Sequence, residues 1–295
     1  MRTMSLIAVL ILMYLFIVQR GNAQPELVPR NVLELRPGGY VYADYPGSFD
    51  ASEDGITIEL WAYFTNTPKD EEMWLIFARP GSYFLTLTGE GVGYAGLANA
   101  EDKGTIFLGF GVEKLYNRGL WDQTMSGNRI LRDNFPVRQW VNIVCQIKRV
   151  EDNKAQFTLS FDDAEDLGPP EFMRFGSSIA MPMGTSDFPL LIGGRKPITM
   201  EDGKEWHSNR YRFESMEGYI DEVSVSKGWR YGEKFPIKSK RRLKSDGNTI
   251  ALWRFMEGNP HSDSSGNRHK LRAGGSLAVE SQGKLATTWG QLKMR

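Results

Sequence analysis

Cysteine is almost missing from this sequence of 295 residues: Cys145 stands alone, so no intrachain disulfide can form and the fold has to be held by its core. Histidine is nearly as scarce. His207, His261 and His269 are too widely spread for a zinc site, neither HExxH nor CxxC occurs, and all three are expected at the surface. A Gly-x-Ser-x-Gly elbow and a Walker-type loop are also missing, which leaves serine-hydrolase and nucleotide-hydrolase readings without their core element. Gly91-Val92-Gly93-Tyr94-Ala95-Gly96 matches GxGxxG, but the chain reaches Lys103-Gly104 before a helix can cover a crossover, so a flexible turn is expected there. No sign of charge dominates. With 36 basic and 36 acidic residues, neither a nucleic-acid surface nor an acidic tail is indicated. No segment keeps a long 3.6-residue apolar period, so a helical bundle is not expected.

What is present points to strands. The sequence is 41% hydrophobic and 12% aromatic, enough for one large domain or two small ones. In Ile56-Thr57-Ile58-Glu59-Leu60-Trp61-Ala62-Tyr63-Phe64 the even positions carry Ile, Ile, Leu, Ala and Phe, and the odd ones Thr, Glu, Trp and Tyr. Period two sends these sets to opposite faces of a strand. Further strands are expected at Gly39 to Ala43, Met73 to Ala78, Tyr83 to Thr88, Thr105 to Gly109, Trp140 to Ile147, Ala155 to Phe161, Leu190 to Gly193, Tyr219 to Ser226 and Thr249 to Phe255. Turn residues separate them, which indicates an all-β antiparallel sandwich or barrel. Cys145 falls in phase with Val141, Ile143 and Ile147, so a buried, inert thiol is expected.

The first residues carry Arg2, an apolar run from Leu6 to Val18 and Gly21-Asn22-Ala23 before Gln24. The run is shorter than the ~20 residues a membrane-spanning helix needs. Residues 1–23 therefore read as a cleaved secretory signal, with an uncleaved anchor as the rival, and no membrane span is expected after cleavage. Residues 24–30 read as a short linker, 31–275 as one domain and 276–295 as a tail. The polar, Gly-rich segment from Leu97 to Pro136 is expected to form long surface loops, where a binding site or a tolerated insertion would look alike.

Inside Gly218-Tyr219-Ile220-Asp221-Glu222-Val223-Ser224-Val225-Ser226 two carboxylates stand side by side. Strand alternation sends neighbours to opposite faces, so the two are not expected to act on one substrate; Glu217, in phase with Asp221, would lie roughly 13 Å away. A glycosidase pair flanks one bond at roughly 5–9.5 Å. Scaffold is the reading for the pair, with a partner acid on another strand left open.

Six short motifs occur in a known order: Gly39-Tyr40-Val41; Thr57-Ile58-Glu59-Leu60-Trp61; Trp140-Val141-Asn142-Ile143; Leu191-Ile192-Gly193-Gly194; Gly218 to Val223; and Leu252-Trp253-Arg254-Phe255 followed by Asp263-Ser264-Ser265-Gly266-Asn267. Together they resemble the laminin-G-like jelly rolls of the concanavalin A-like lectin/glucanase superfamily, bacterial secreted branch, over residues 31–275. The resemblance implies two antiparallel sheets packed as a jelly-roll sandwich. It also implies a possible Ca²⁺ site, with Asp221 and backbone oxygen at Gly39 as candidate ligands. The glucanase line of that superfamily carries an E-x-D-x-x-E strand, and this string does not occur here, so the resemblance supplies no reason to expect an enzyme. Asp263 to Asn267 is expected to form an Asx-type turn.

Three functions compete. The first is a secreted, periplasmic or cell-surface binding module for a glycan or extracellular polymer, with Tyr116, Arg118, Trp121 and Asp122 as candidate ligand-binding residues; Tyr116 and Trp121 would otherwise pin the loop to the domain. The second is a module for a protein partner or a structural role. Within the basic run, Lys238, Lys240, Arg241 and Arg242 are the candidates for an anionic ligand, with solvated surface lysines as the plain alternative. The third is a glycoside hydrolase or lyase using acids such as Asp162, Asp163, Glu201 or Glu205. Trp61, Trp140, Trp253 and Phe255 are expected to pack in the core or on a sheet face.

Overall fold

A computed structural model describes residues 32–44, 47–50, 54–70, 72–80, 82–89, 106–112, 114–115, 121–122, 129–132, 135–151, 154–161, 171–174, 188–194, 212–231, 242–255 and 259–275. The segments read as signal, linker and tail lie outside them, as do the GxGxxG match, His207 and the acid clusters at 162–166 and 201–205.

The alternating apolar positions become strands whose inward side chains meet face to face. In chain order these are β1 (Leu33–Leu35), β2 (Gly39–Ala43), β3 (Ile56–Phe64), β4 (Glu72–Arg79), β5 (Tyr83–Thr88), β6 (Ile106–Val112), β7 (Lys114–Leu115), β8 (Trp121–Asp122) and β9 (Arg129–Arg132). There follow β10 (Trp140–Glu151), β11 (Lys154–Phe161), β12 (Glu171–Arg174), β13 (Leu190–Ile192), β14 (Arg212–Ser215), β15 (Gly218–Lys227), β16 (Thr249–Trp253) and β17 (Arg272–Gly275). The segment from Leu97 to Pro136 is therefore not loop alone: the strand expected at Thr105 to Gly109 is β6, which with β9 extends a sheet, and β7 pairs with β8. Charge and short length hide β7, β8 and β9 in the sequence.

The first sheet has the order β1-β15-β3-β10-β11-β12, with β16 also on β15; the second runs β17-β2-β13-β4-β5-β6-β9, with β14 on β4. All pairings are antiparallel except β14 with β4. The chain crosses repeatedly between the sheets, giving a jelly-roll sandwich. Its ends are woven in: Leu33 sits opposite Ile220, and β17 lies against β2.

Between the sheets lies one core. Ile56, Ile58, Leu60, Ala62 and Phe64 of β3 all belong to it, together with Trp74, Phe77, Tyr83 and Leu85 of the second sheet. Cys145 is in this core, and burial pushes its thiol well above the usual range. Trp253 is fully buried there with its indole N–H given to the His269 carbonyl at 2.6 Å. Arg79 is also fully buried, bonded to Asp50 at 2.9 Å and to the Phe188 carbonyl at 2.6 Å.

His261 and His269 are not surface residues as expected. Both are half-buried, and burial lowers the pKa of each, with Asp263 partly opposing this at His269. The cause is the turn after β16. Asp263 accepts from the Leu252 and Ser265 N–H groups at 3.0 and 2.8 Å, from Ser265 Oγ at 2.8 Å and from the His269 N–H at 3.0 Å. The bond to Ser265 is the Asx turn read from the sequence, and the others fold the histidine segment inward.

Candidate functional site

The two outer faces differ in chemistry. On the second sheet, Leu75, Ala78, Phe84 and Leu191 stand outside the core cluster yet are buried, an apolar face that is covered. On the first sheet the outward set carries rings and polar groups. Period two places Thr57, Glu59, Trp61 and Tyr63 of β3 outward, because their neighbours are in the core. Register then builds rows across the strands. Trp140 pairs with Tyr63 and Tyr63 with Tyr219, while Tyr219 pairs with Glu34 of β1. The Tyr63 ring centroid lies 5.6 Å from that of Trp140 and 5.7 Å from that of Tyr219. All three rings and Trp61 are half-buried, so part of each is open to solvent. Burial is the first cause raising the pKa of Tyr63 and Tyr219, and Glu34 adds to it at Tyr219. Both phenols therefore stay neutral at physiological pH, able to donate and to accept.

The next row is Asn142, Trp61 and the two acids of β15. Ile220 faces Ala62 and Val223 faces Leu60, so Asp221 and Glu222 together oppose the single residue Trp61. This is a β-bulge. Since Ile220 and Val223 both point into the core, the two acids between them both point outward. The expectation that alternation separates the pair is thus wrong, because the inserted residue resets the phase. The scaffold role nonetheless holds for Glu222, which is buried, accepts the Leu243 N–H at 2.6 Å and meets Arg254 at 3.4 Å. Asp221 is buried beside it.

The other half of this face is closed. Thr57, Glu59, Gln146, Thr158, Ser224 and Ser226 are buried, and the segment from Gly228 to Tyr231 bonds to Thr57, Glu59, Gln146 and Ser226. The Tyr231 hydroxyl donates to Glu59 at 2.5 Å, its N–H donates to Gln146 Oε1 at 2.8 Å, and the Arg230 N–H donates to Thr57 at 3.1 Å. Burial, then the charge of Glu59, pushes the Tyr231 phenol far up. The Lys148 ammonium lies 4.6 Å from the Trp229 ring centre. Open surface on this face is therefore concentrated at the aromatic end.

The residues singled out from the sequence fall elsewhere. Tyr116, Arg118, Lys238, Lys240 and Arg241 lie outside the described residues, Arg242 is exposed, and Trp121 and Asp122 form β8. Of the calcium candidates, Asp221 is on the first sheet and Gly39 opens β2 of the second. Among the described residues, no three His, Cys, Asp or Glu side chains are grouped to hold a metal ion. No helix among them is long and apolar enough to cross a membrane. The ring row escaped sequence reasoning because its members come from three distant strands; the available signal was two aromatic residues, Trp61 and Tyr63, on the polar phase of β3.

No family model and no curated protein matches this chain. Among solved structures, a native heptameric SAP-like pentraxin from Limulus polyphemus aligns over 85% of this chain and 98% of its own, with 15% identity and a TM-score of 0.43. A protein from Bacteroides ovatus, described as carbohydrate binding, aligns over 84% of this chain and 63% of its own at 12% identity and a TM-score of 0.43. The LG1-3 region of the laminin alpha2 chain aligns over 73% of this chain and 34% of its own, with 13% identity and a TM-score of 0.33.

Proposed function

We propose that this chain is a non-catalytic, laminin-G-like binding module that holds carbohydrate against the outer face of its first sheet. The observation carrying this reading is the half-open row Trp140, Tyr63 and Tyr219, continued by Trp61. Aromatic rings offer flat apolar faces to the C–H faces of sugars, while a few placed polar groups take the hydroxyls. Glu34, half-buried at the end of the row, is such a group. The carboxylates near the row favour binding without turnover, since Glu59 is held by Tyr231 and Glu222 by Leu243 and Arg254. Export through the segment 1–23 would bring the module to extracellular polymers.

The test is binding of the full chain to a broad glycan array in the presence of Ca²⁺, of a chelator and of high salt. Trp140→Ala is expected to weaken binding about tenfold, the effect of roughly 1.4 kcal/mol of lost stacking. Binding that the row variants leave intact, but that salt abolishes, would move the site to the basic run, because exposed charge contacts are screened. Release of reducing ends from any array sugar would replace this reading with a hydrolase.

A further inference from the structure

Resting on the reading of the ring row as a sugar site, we propose that the row takes a single soluble glycan chain lying across the strands, and not the flat face of a packed polysaccharide. A packed face can only be held by rings that share one plane. Here the Tyr63 ring is turned 60° from Trp140 and 63° from Tyr219, so the three cannot lie flat against one surface. Sheet twist accounts for only about 20–25° between neighbouring strands. The remainder is a corrugation, suited to a chain whose successive sugars are turned relative to one another.

The row is also narrow, and one of its long sides is open and polar. On one side only Trp61 is half-open, because Asn142 and the two acids of the β15 bulge beside it are buried. On the other stand Thr65 and Glu217, joined by a hydrogen bond at 3.0 Å, with Asn66 donating to Glu217 at 3.2 Å. Arg138 closes that side. It is exposed, takes a left-handed φ of 59°, ties its N–H to the Phe64 carbonyl at 2.7 Å, and its charge acts on Tyr63. Each flanking row is two residues from the ring row, roughly 7 Å along the strands. A single chain on the rings can turn hydroxyls to Arg138, Thr65 and Glu217. A flat slab would instead strip water from Arg138 and Glu217 without giving each a fitted partner, which is costly for charged groups. The three rings span two strand spacings, roughly 10 Å.

The experiment compares two forms of the same sugars with the full chain. Calorimetry measures binding of soluble cello-, chito-, xylo- and manno-oligosaccharides from disaccharide to hexasaccharide, and depletion measures retention on insoluble cellulose, chitin, xylan and mannan. The expected result is affinity for one soluble series that rises from disaccharide to about tetrasaccharide and then levels off. Trp140→Ala and Tyr219→Ala should each weaken it about tenfold, and Trp140→Phe should recover part of the loss while thermal unfolding shows each variant folded. Retention on an insoluble polymer that soluble oligosaccharides do not compete away would overturn the single-chain proposal and leave the sugar site standing. Binding to neither form by the folded protein would remove the sugar site itself, and the proposal with it.

Discussion

Gly218→Ala is a severe test of how the ring row is held. Gly218 opens β15 at a φ of +154°, and a Cβ added there would lie 2.0 Å from the Tyr63 carbonyl oxygen, 3.0 Å from its carbonyl carbon and 3.2 Å from Phe64 Cα. All are backbone atoms of β3, which is paired on both sides, so no flexible side chain can swing aside. Ordinary contact begins at 3.4 Å, so the two strands must part by well over an ångström beside two of the three rings. Overpacking of this kind costs about 1–3 kcal/mol. A backbone region that side chains rarely adopt adds roughly 1–3 kcal/mol more. Taking about 3 kcal/mol overall, a domain of this size should lose roughly 6–12 °C in Tm. Thermal unfolding followed by tryptophan fluorescence measures it, with Gly247→Ala as the control, since nothing lies within 4 Å of a Cβ there. A fall of less than about 2 °C for Gly218→Ala would refute the claim that β3 and β15 fix each other at this point.

Other consequences can be checked on the same protein. His261 and His269 are held neutral by burial, so the stability they permit is present above their unfolded value of 6.5 and is lost as pH falls below it. Tm should drop between pH 7 and pH 5, and less so in His261→Gln. Arg79→Ala leaves Asp50 and the Phe188 carbonyl without their buried partner and should cost about 3–5 kcal/mol by urea unfolding. Asp263→Ala removes the acceptor of four hydrogen bonds and should cost about 2–4 kcal/mol, with Asp263→Asn losing less.

Much of the sandwich is legible in the sequence because period two is a strong signal where one face is core. β2, β3 and β5 have the expected bounds for that reason. Strands of another kind leave no such trace. β17 reads Arg-Ala-Gly-Gly with no buried position, and β1 has only three residues; both owe their existence to partners far along the chain. The bulge is a subtler case. Its one mark is the slip in spacing from Ile220 to Val223 and then Val225, three residues where two is the rule, and the acids between them draw attention away from it. The ring row could not be read from any one strand, because register between β10, β3 and β15 creates it.

The pairing of Leu33 with Ile220, and of β17 with β2, has a bearing on how the molecule is made. When a ribosome has released the first third of the chain, β1 and β2 have no lasting place to go: their partners have not been synthesised. Closing such distant pairs requires the whole length, which makes folding slow and late. Until then those strands lack their partners, and their unpaired edges are where an unfinished chain is most prone to associate with others.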